Sequence, residues 1–136
     1  MIDAIDHVVL YSGDSERTIA FYRDVLGCVI QGEDEWRAGR RPVFQIRVND
    51  STFVNVHASG NELHPRAVTA LPGTLDICFR TSLSPEETVA HFAQHGIDVE
   101  VGPVERRDAM GEPSTSIYVR DPDGNLVELM SPAAVT

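Results

Sequence analysis

The chain has 136 residues, carries 11 basic against 21 acidic side chains, and so has a formal net charge of −10. Every basic residue is arginine, which excludes a Schiff-base lysine, a lysine general base and a Walker-type phosphate loop. An acidic chain without a basic cluster also argues against nucleic acid and anionic membrane surfaces as partners, and no stretch approaches the ~18 apolar residues of a membrane span.

In chain order, Ile5 to Tyr11 is short, apolar and β-branched, which reads as a strand. Asp14 or Ser15 caps a helix running to about Leu26, with Ile19, Phe21, Tyr22 and Val25 on its apolar stripe and Gly27 as its stop. Strands are expected near Cys28–Gln31, over Val43–Val48 and over Thr52–His57, the last two forming a hairpin around Asn49-Asp50-Ser51. Ala58 to Pro72 reads as a linker. Leu75–Arg80 is a strand, and Ser84-Pro85-Glu86-Glu87 is a helix start with a serine cap, a first-turn proline and a glutamate three residues on. Ile97–Val101 reads as a strand and Gly102–Pro113 as a loop. Thr115–Arg120 and Leu126–Met130 form a hairpin around Asp121-Pro122-Asp123-Gly124-Asn125.

The order is β-α-β-β-β, twice, an α+β pattern with an internal repeat of about half the chain. Its two modules are expected at about 1–60 and 72–132 of a single domain. Spacing by 69 matches His7 with Asp76, and spacing by 71 matches His57 with Glu128. These four polar side chains interrupt apolar strands at corresponding points, and of the acidic residues only Asp76 and Glu128 look inward-facing. A carboxylate between apolar neighbours must be paired, hydrogen-bonded, protonated or bound to a metal. Imidazole with carboxylate suits Zn, Fe, Mn, Co or Ni, and three ligands leaving open positions make a catalytic site. The other reading of the same residues is a polar, metal-free pocket.

Ile5-Asp6-His7-Val8-Val9-Leu10, Ala20-Phe21-Tyr22-Arg23-Asp24-Val25-Leu26-Gly27 and the stretch from Tyr118 to Leu129, with Asp121-Pro122-Asp123-Gly124-Asn125 and Glu128, resemble the vicinal oxygen chelate superfamily. That superfamily includes glyoxalase I, extradiol dioxygenases, fosfomycin-resistance thiol transferases and bleomycin-resistance proteins. The resemblance implies paired βαβββ modules forming a curved open barrel, a homodimer, and a divalent metal holding neighbouring oxygens of a small-molecule ligand. Carried over by position, His7 matches the first-strand ligand and Glu128 the last-strand ligand, while Asp76 stands where many members have histidine or glutamate. Glyoxalase I has a further glutamate on the strand Phe53–His57; simple register puts that position nearer Asn55, whereas the internal repeat favours His57.

The resulting expectation is a small metal-dependent glyoxalase or dioxygenase-like enzyme, with Glu128 and His57 as ligands or bases. The alternatives are a metal-free drug- or metabolite-binding protein and, third, a thiol transferase of the fosfomycin-resistance type. Asn55, Arg106 and Tyr118 are candidate ligand-binding residues, and the segment Glu105–Gly111 reads either as a lid or as a solvated loop. Cys28 and Cys78 lie in apolar runs, reading as reduced core residues of a cytosolic protein. Trp36 reads as ordinary packing, and His91 and His95 as residues near a helix C-terminus.

Overall fold

The computed structural model describes residues 1–61 and 63–133. The chain divides into two compact units, Met1–Leu75 and Asp76–Thr136. The first carries strands β1 (His7–Ser12), β2 (Val29–Gln31), β3 (Val43–Arg47) and β4 (Phe53–Ala58), and helices α1 (Ser15–Ile19) and α2 (Glu33–Arg37). The second carries β5 (Asp76–Arg80), helix α3 (Pro85–Gln94), β6 (Val101–Arg107), β7 (Pro113–Arg120) and β8 (Leu126–Pro132). The α+β class and the repeated βαβββ order expected from sequence are both present.

Each unit holds one four-stranded mixed sheet, ordered β1-β4-β3-β2 in the first and β5-β8-β7-β6 in the second. In both, the first and last strands pair in parallel and the rest pair antiparallel. Alternation along each strand sends one set of side chains to the core and the other to the opposite face. Leu10, Phe44, Ile46, Val54 and Val56 are buried in the first unit with Ile19, Phe21 and Tyr22 of its helix. Ile117, Val119, Val127 and Leu129 are buried in the second with Phe92 of α3, which packs on β7. What remains on the other face of each sheet is the polar set that the sequence singled out.

Local signals explain the helices. Asp14 caps α1 by accepting from the Arg17 N–H at 3.2 Å, and α1 continues as a π-helical stretch over Ala20–Val25. Ser84 and Glu87 form a reciprocal capping box, at 3.1 and 2.8 Å, behind Pro85. Trp36 of α2 sits edge-on to Phe44 at 4.9 Å, so its role is packing.

Three expectations are corrected. Most of Gly102–Pro113 is strand, because β6 runs to Arg107 and pairs with β7 through a bulge between Val101 and Val104. Only a short turn remains of the expected lid or loop, and Asp108 closes it by accepting from the Met110 and Glu112 N–H groups at 2.9 Å each. Cys78 is exposed, since alternation puts it on the face of Asp76. Finally, Asp76 is exposed while Asp121 is buried, where its carboxylate accepts from the Asp123 and Asn125 N–H groups and the Asn125 side chain.

Candidate functional site

The polar face of the second unit centres on Glu128. In β8 it alternates with core residues Val127 and Leu129, so its carboxylate leaves the core face. Cys78 of β5 is its register partner on one side and Tyr118 of β7 on the other. Ser116, two residues before Tyr118 and completely buried, donates to Glu128 Oε2 at 2.6 Å. Arg106 Nε donates to the Tyr118 hydroxyl at 3.1 Å, with its guanidinium 5.6 Å from the ring centre. Because the Tyr118 oxygen accepts that bond, its own proton is left to donate elsewhere.

Glu128, Cys78, Tyr118 and Arg106 line a cavity of about 350 Å³ together with Arg80, Arg107, Ala109 and Met130. Arg80 is paired with Asp108 at 2.9 Å, while Arg106 and Arg107 spend their hydrogen bonds on neutral groups. Arg106 and Arg107, which form no ion pair among the described residues, thus bring positive charge to a cavity whose floor carries Glu128. The Cys78 thiol is pushed up to about 11 by partial burial, then by the charge of Glu128 and a hydrogen bond to its carboxylate, so it is a protonated thiol at neutral pH. Asp76, expected beside Glu128, faces Leu126 across the strand pair and does not line this cavity.

The polar face of the first unit carries His7, Asn55 and His57. His7 lies opposite Phe53 at one end of the β1–β4 pair, exposed, and its Nδ1 is 2.7 Å from Asp6 Oδ1. His57 lies four register positions away, opposite Tyr11, which meets it edge-to-face at 5.6 Å. Its Nδ1 is, among the described residues, a buried polar side-chain atom with no hydrogen-bond partner. Burial, and secondarily the charge of His7, hold its pKa below the usual 6.5. Asn55 is half-buried between Val9 and Gln45 and accepts from Gln45 Nε2 at 2.9 Å.

The strand registers revise the internal match. Val9 faces Asn55 as Cys78 faces Glu128, and Tyr11 faces His57 as Arg80 faces Met130. Asn55, not His57, is therefore the structural counterpart of Glu128. The match of His7 with Asp76 stands, since His7 faces Phe53 as Asp76 faces Leu126. Sequence reasoning missed Ser116, Cys78 and Gln45, although alternation from Tyr118 and Asp76 places the first two on the polar face, and Gln45 alternates with the core residues Phe44 and Ile46.

Imidazole and carboxylate suit a divalent first-row metal in kind, and the orphaned His57 Nδ1 is a donor atom in need of a partner. In number they fall short: among the described residues, no group of three or more His, Cys, Asp or Glu side chains is disposed to hold a metal ion.

Residues 4–129 match the family model of the Glyoxalase/Bleomycin resistance protein/Dioxygenase superfamily. The chain belongs to that superfamily. The glyoxalase domain-containing protein RDO1 of Mycosarcoma maydis is 38% identical over 130 residues, which span 96% of this chain and 69% of RDO1. Virulence protein STM3117 of Salmonella typhimurium is 40% identical over 129 residues, which span 95% of this chain and 84% of that relative. Its crystal structure has a TM-score of 0.85 at 36% identity, covering 98% of this chain and 99% of that one. The integron cassette protein VCH_CASS1, from the mobile metagenome of V. cholerae, has a TM-score of 0.83 at 34% identity, covering 96% of each chain. The two-sheet α+β fold is thus the superfamily's fold. No helix among the described residues is long and apolar enough to cross a membrane.

Proposed function

We propose that this glyoxalase-superfamily protein is a small metal-dependent enzyme, a cytoplasmic homodimer, that acts on a small oxygen-bearing molecule. The observation that carries the reading is Glu128, held by Ser116 on the floor of a cavity and faced by Cys78 and Tyr118. A carboxylate so placed serves as a proton acceptor and returns the proton later in the cycle. Tyr118, fixed by Arg106, donates to a ligand oxygen, and Arg106 and Arg107 draw in a negatively charged group. Met130 and Ala109 line the same cavity with apolar surface, which keeps water from competing for these polar contacts.

A divalent metal (Fe, Mn, Zn, Ni or Co) would draw on imidazole and carboxylate donors of this chain, Glu128 among them, and would supply Lewis-acid stabilisation of negative charge developing on the ligand. Metal analysis of the purified wild type, His7→Ala and Glu128→Gln proteins tests this. Stoichiometric divalent metal in the wild type, reduced in both variants, supports it; a wild type that retains no metal after reconstitution overturns it.

The second reading is a metal-free protein that sequesters a small molecule. The shortage of grouped donors within the described residues favours it. Its signature is tight ligand binding without turnover, unchanged by a chelator.

A further inference from the structure

We infer that Asn55 is a hydrogen-bond donor to a ligand oxygen, locked in that polarity by Arg41 acting through Gln45. Asn55 would then take a carboxylate-like or enolate-like oxygen and would not itself be a metal ligand. The inference deepens the small-molecule reading above and rests on it.

The argument begins with a cation. A guanidinium has donors only. Arg41 Nη2 lies 3.2 Å from one end of the Gln45 amide, so that end is the oxygen. Gln31 Nε2 adds a second donor to the same oxygen at 3.0 Å. The nitrogen of Gln45 therefore points the other way, and it meets the Asn55 amide at 2.9 Å. Facing an N–H, that atom of Asn55 is Oδ1. The ambiguity that attends amide groups is thereby removed at both residues, because the chain of bonds starts at a group that cannot accept.

With Oδ1 engaged, the remaining function of Asn55 is the Nδ2 amide nitrogen and its two N–H donors. That nitrogen makes no hydrogen bond among the described residues. Val9, on the other strand neighbouring Asn55, is apolar and offers it no acceptor. Hydrogen bonds in a chain polarise one another, so the charge of Arg41 strengthens the donor at the far end.

The seat of Arg41 is built into the backbone. Gly32 has φ +77°, and a Cβ there would stand 2.3 Å from Arg41 Nη1. The missing side chain leaves the space that the guanidinium fills. Arg41, Gln45 and Gly32 are thus positioning residues for Asn55. The comparison with Glu128 sharpens the point. The two positions correspond in register, yet Glu128 presents a carboxylate and Asn55 presents an amide N–H.

Gln45→Glu tests the polarity without removing a heavy atom. A glutamate there still accepts from Arg41 and Gln31, but it can only accept from Asn55 as well. The Asn55 amide must turn over and present Oδ1. Oxalate, a dianion with neighbouring oxygens, is titrated into 15N-labelled protein without added metal, and the side-chain amide resonances are followed. In the wild type the Asn55 Nδ2 signals move on titration. In Gln45→Glu and in Asn55→Asp, oxalate affinity falls about tenfold or more, the scale of one lost hydrogen bond, while backbone spectra show the fold retained. Both variants also add a negative charge that repels a dianion, so the neutral Asn55→Ala is the control: a purely structural ladder predicts unchanged oxalate affinity there, whereas loss of the Nδ2 donor predicts the same tenfold fall. Wild-type Asn55 signals that ignore oxalate, or a folded Gln45→Glu that binds it normally, overturn the inference. Glu128→Gln separates the two proposals, since it removes the Glu128 chemistry and leaves the Asn55 response to oxalate in place.

Discussion

Ser116 donates a 2.6 Å hydrogen bond to Glu128, although the strand register places Met130, not Glu128, directly across from it. The bond is diagonal, and it ties a completely buried hydroxyl to a carboxylate on the cavity floor. Ser116→Ala removes it and leaves one carboxylate oxygen without its donor. The expected loss is about 1.5–3 kcal/mol, the range for hydrogen bonds to charged groups. Urea denaturation of the two proteins checks it, and an unchanged midpoint with an unchanged slope contradicts it.

Cys78 should be a poor nucleophile despite its exposure. Its thiol is raised from 9.0 to about 11, first by partial burial and then by Glu128. In a Cys28→Ser background, iodoacetamide at pH 8 should alkylate it on the order of a hundredfold more slowly than an unperturbed thiol, because the reactive thiolate is that much scarcer. Adding Glu128→Gln removes the negative charge, lowers the pKa and speeds the reaction. A rate that Glu128→Gln leaves unaltered would show the carboxylate has no influence on the sulfur.

His57 gives stability a pH dependence of known sign. Its folded pKa lies below the unfolded 6.5, so as pH falls the unfolded chain takes up this proton first. The contribution of a neutral His57 is therefore full above about pH 6.5 and declines as pH drops below it toward the folded pKa. Chemical denaturation from pH 7.5 to 5 should show that decline in the wild type and a shallower one in His57→Gln. Equal slopes in the two proteins rule it out.

Gly102 holds the bulge at the start of β6. Its φ is +113°, and a Cβ would stand 2.5 Å from the Ser116 carbonyl oxygen and 3.0 Å from Ile117 Cα. Both obstacles are backbone, so neither yields cheaply. Gly102→Ala should destabilise by about 1–3 kcal/mol, the scale of a strained backbone residue. A thermal melt of the variant reads the loss directly.

The fold was legible in the sequence wherever a local signal acted alone. Ser84, Pro85 and Glu87 announce α3, Asp14 announces α1, and alternation marks Val43–Arg47 and Phe53–His57 as strands. The signal failed where two rules compete. Gly102, Pro103 and the charges that follow argue for a loop, yet pairing with β7 makes this segment β6. The polar faces were legible in part, since alternation finds His7, Asn55, His57 and Glu128 but says nothing of which residues stand opposite. The match of His57 to Glu128 assumed nearly equal spacing in the two halves. The second half is longer between its first and last strands, and only the hydrogen-bonded ladder shows that Asn55 is the counterpart. The amide chain from Arg41 was invisible for the same reason, because Gly32, Arg41, Gln45 and Asn55 form a group only after β2, β3 and β4 have aligned.

The strand order also bears on how such a chain assembles as it is made. In each unit the last strand in sequence lies inside the sheet, with β4 seated between β1 and β3 and β8 between β5 and β7. Until that strand emerges from the ribosome, β1 and β5 lack their parallel neighbours and neither sheet can close. Each half must therefore wait for its final strand, and the distant pairings that complete it are of the slow-forming kind. Asn55 and Glu128 both ride on those late strands, so each polar face is completed in the same step that completes its sheet.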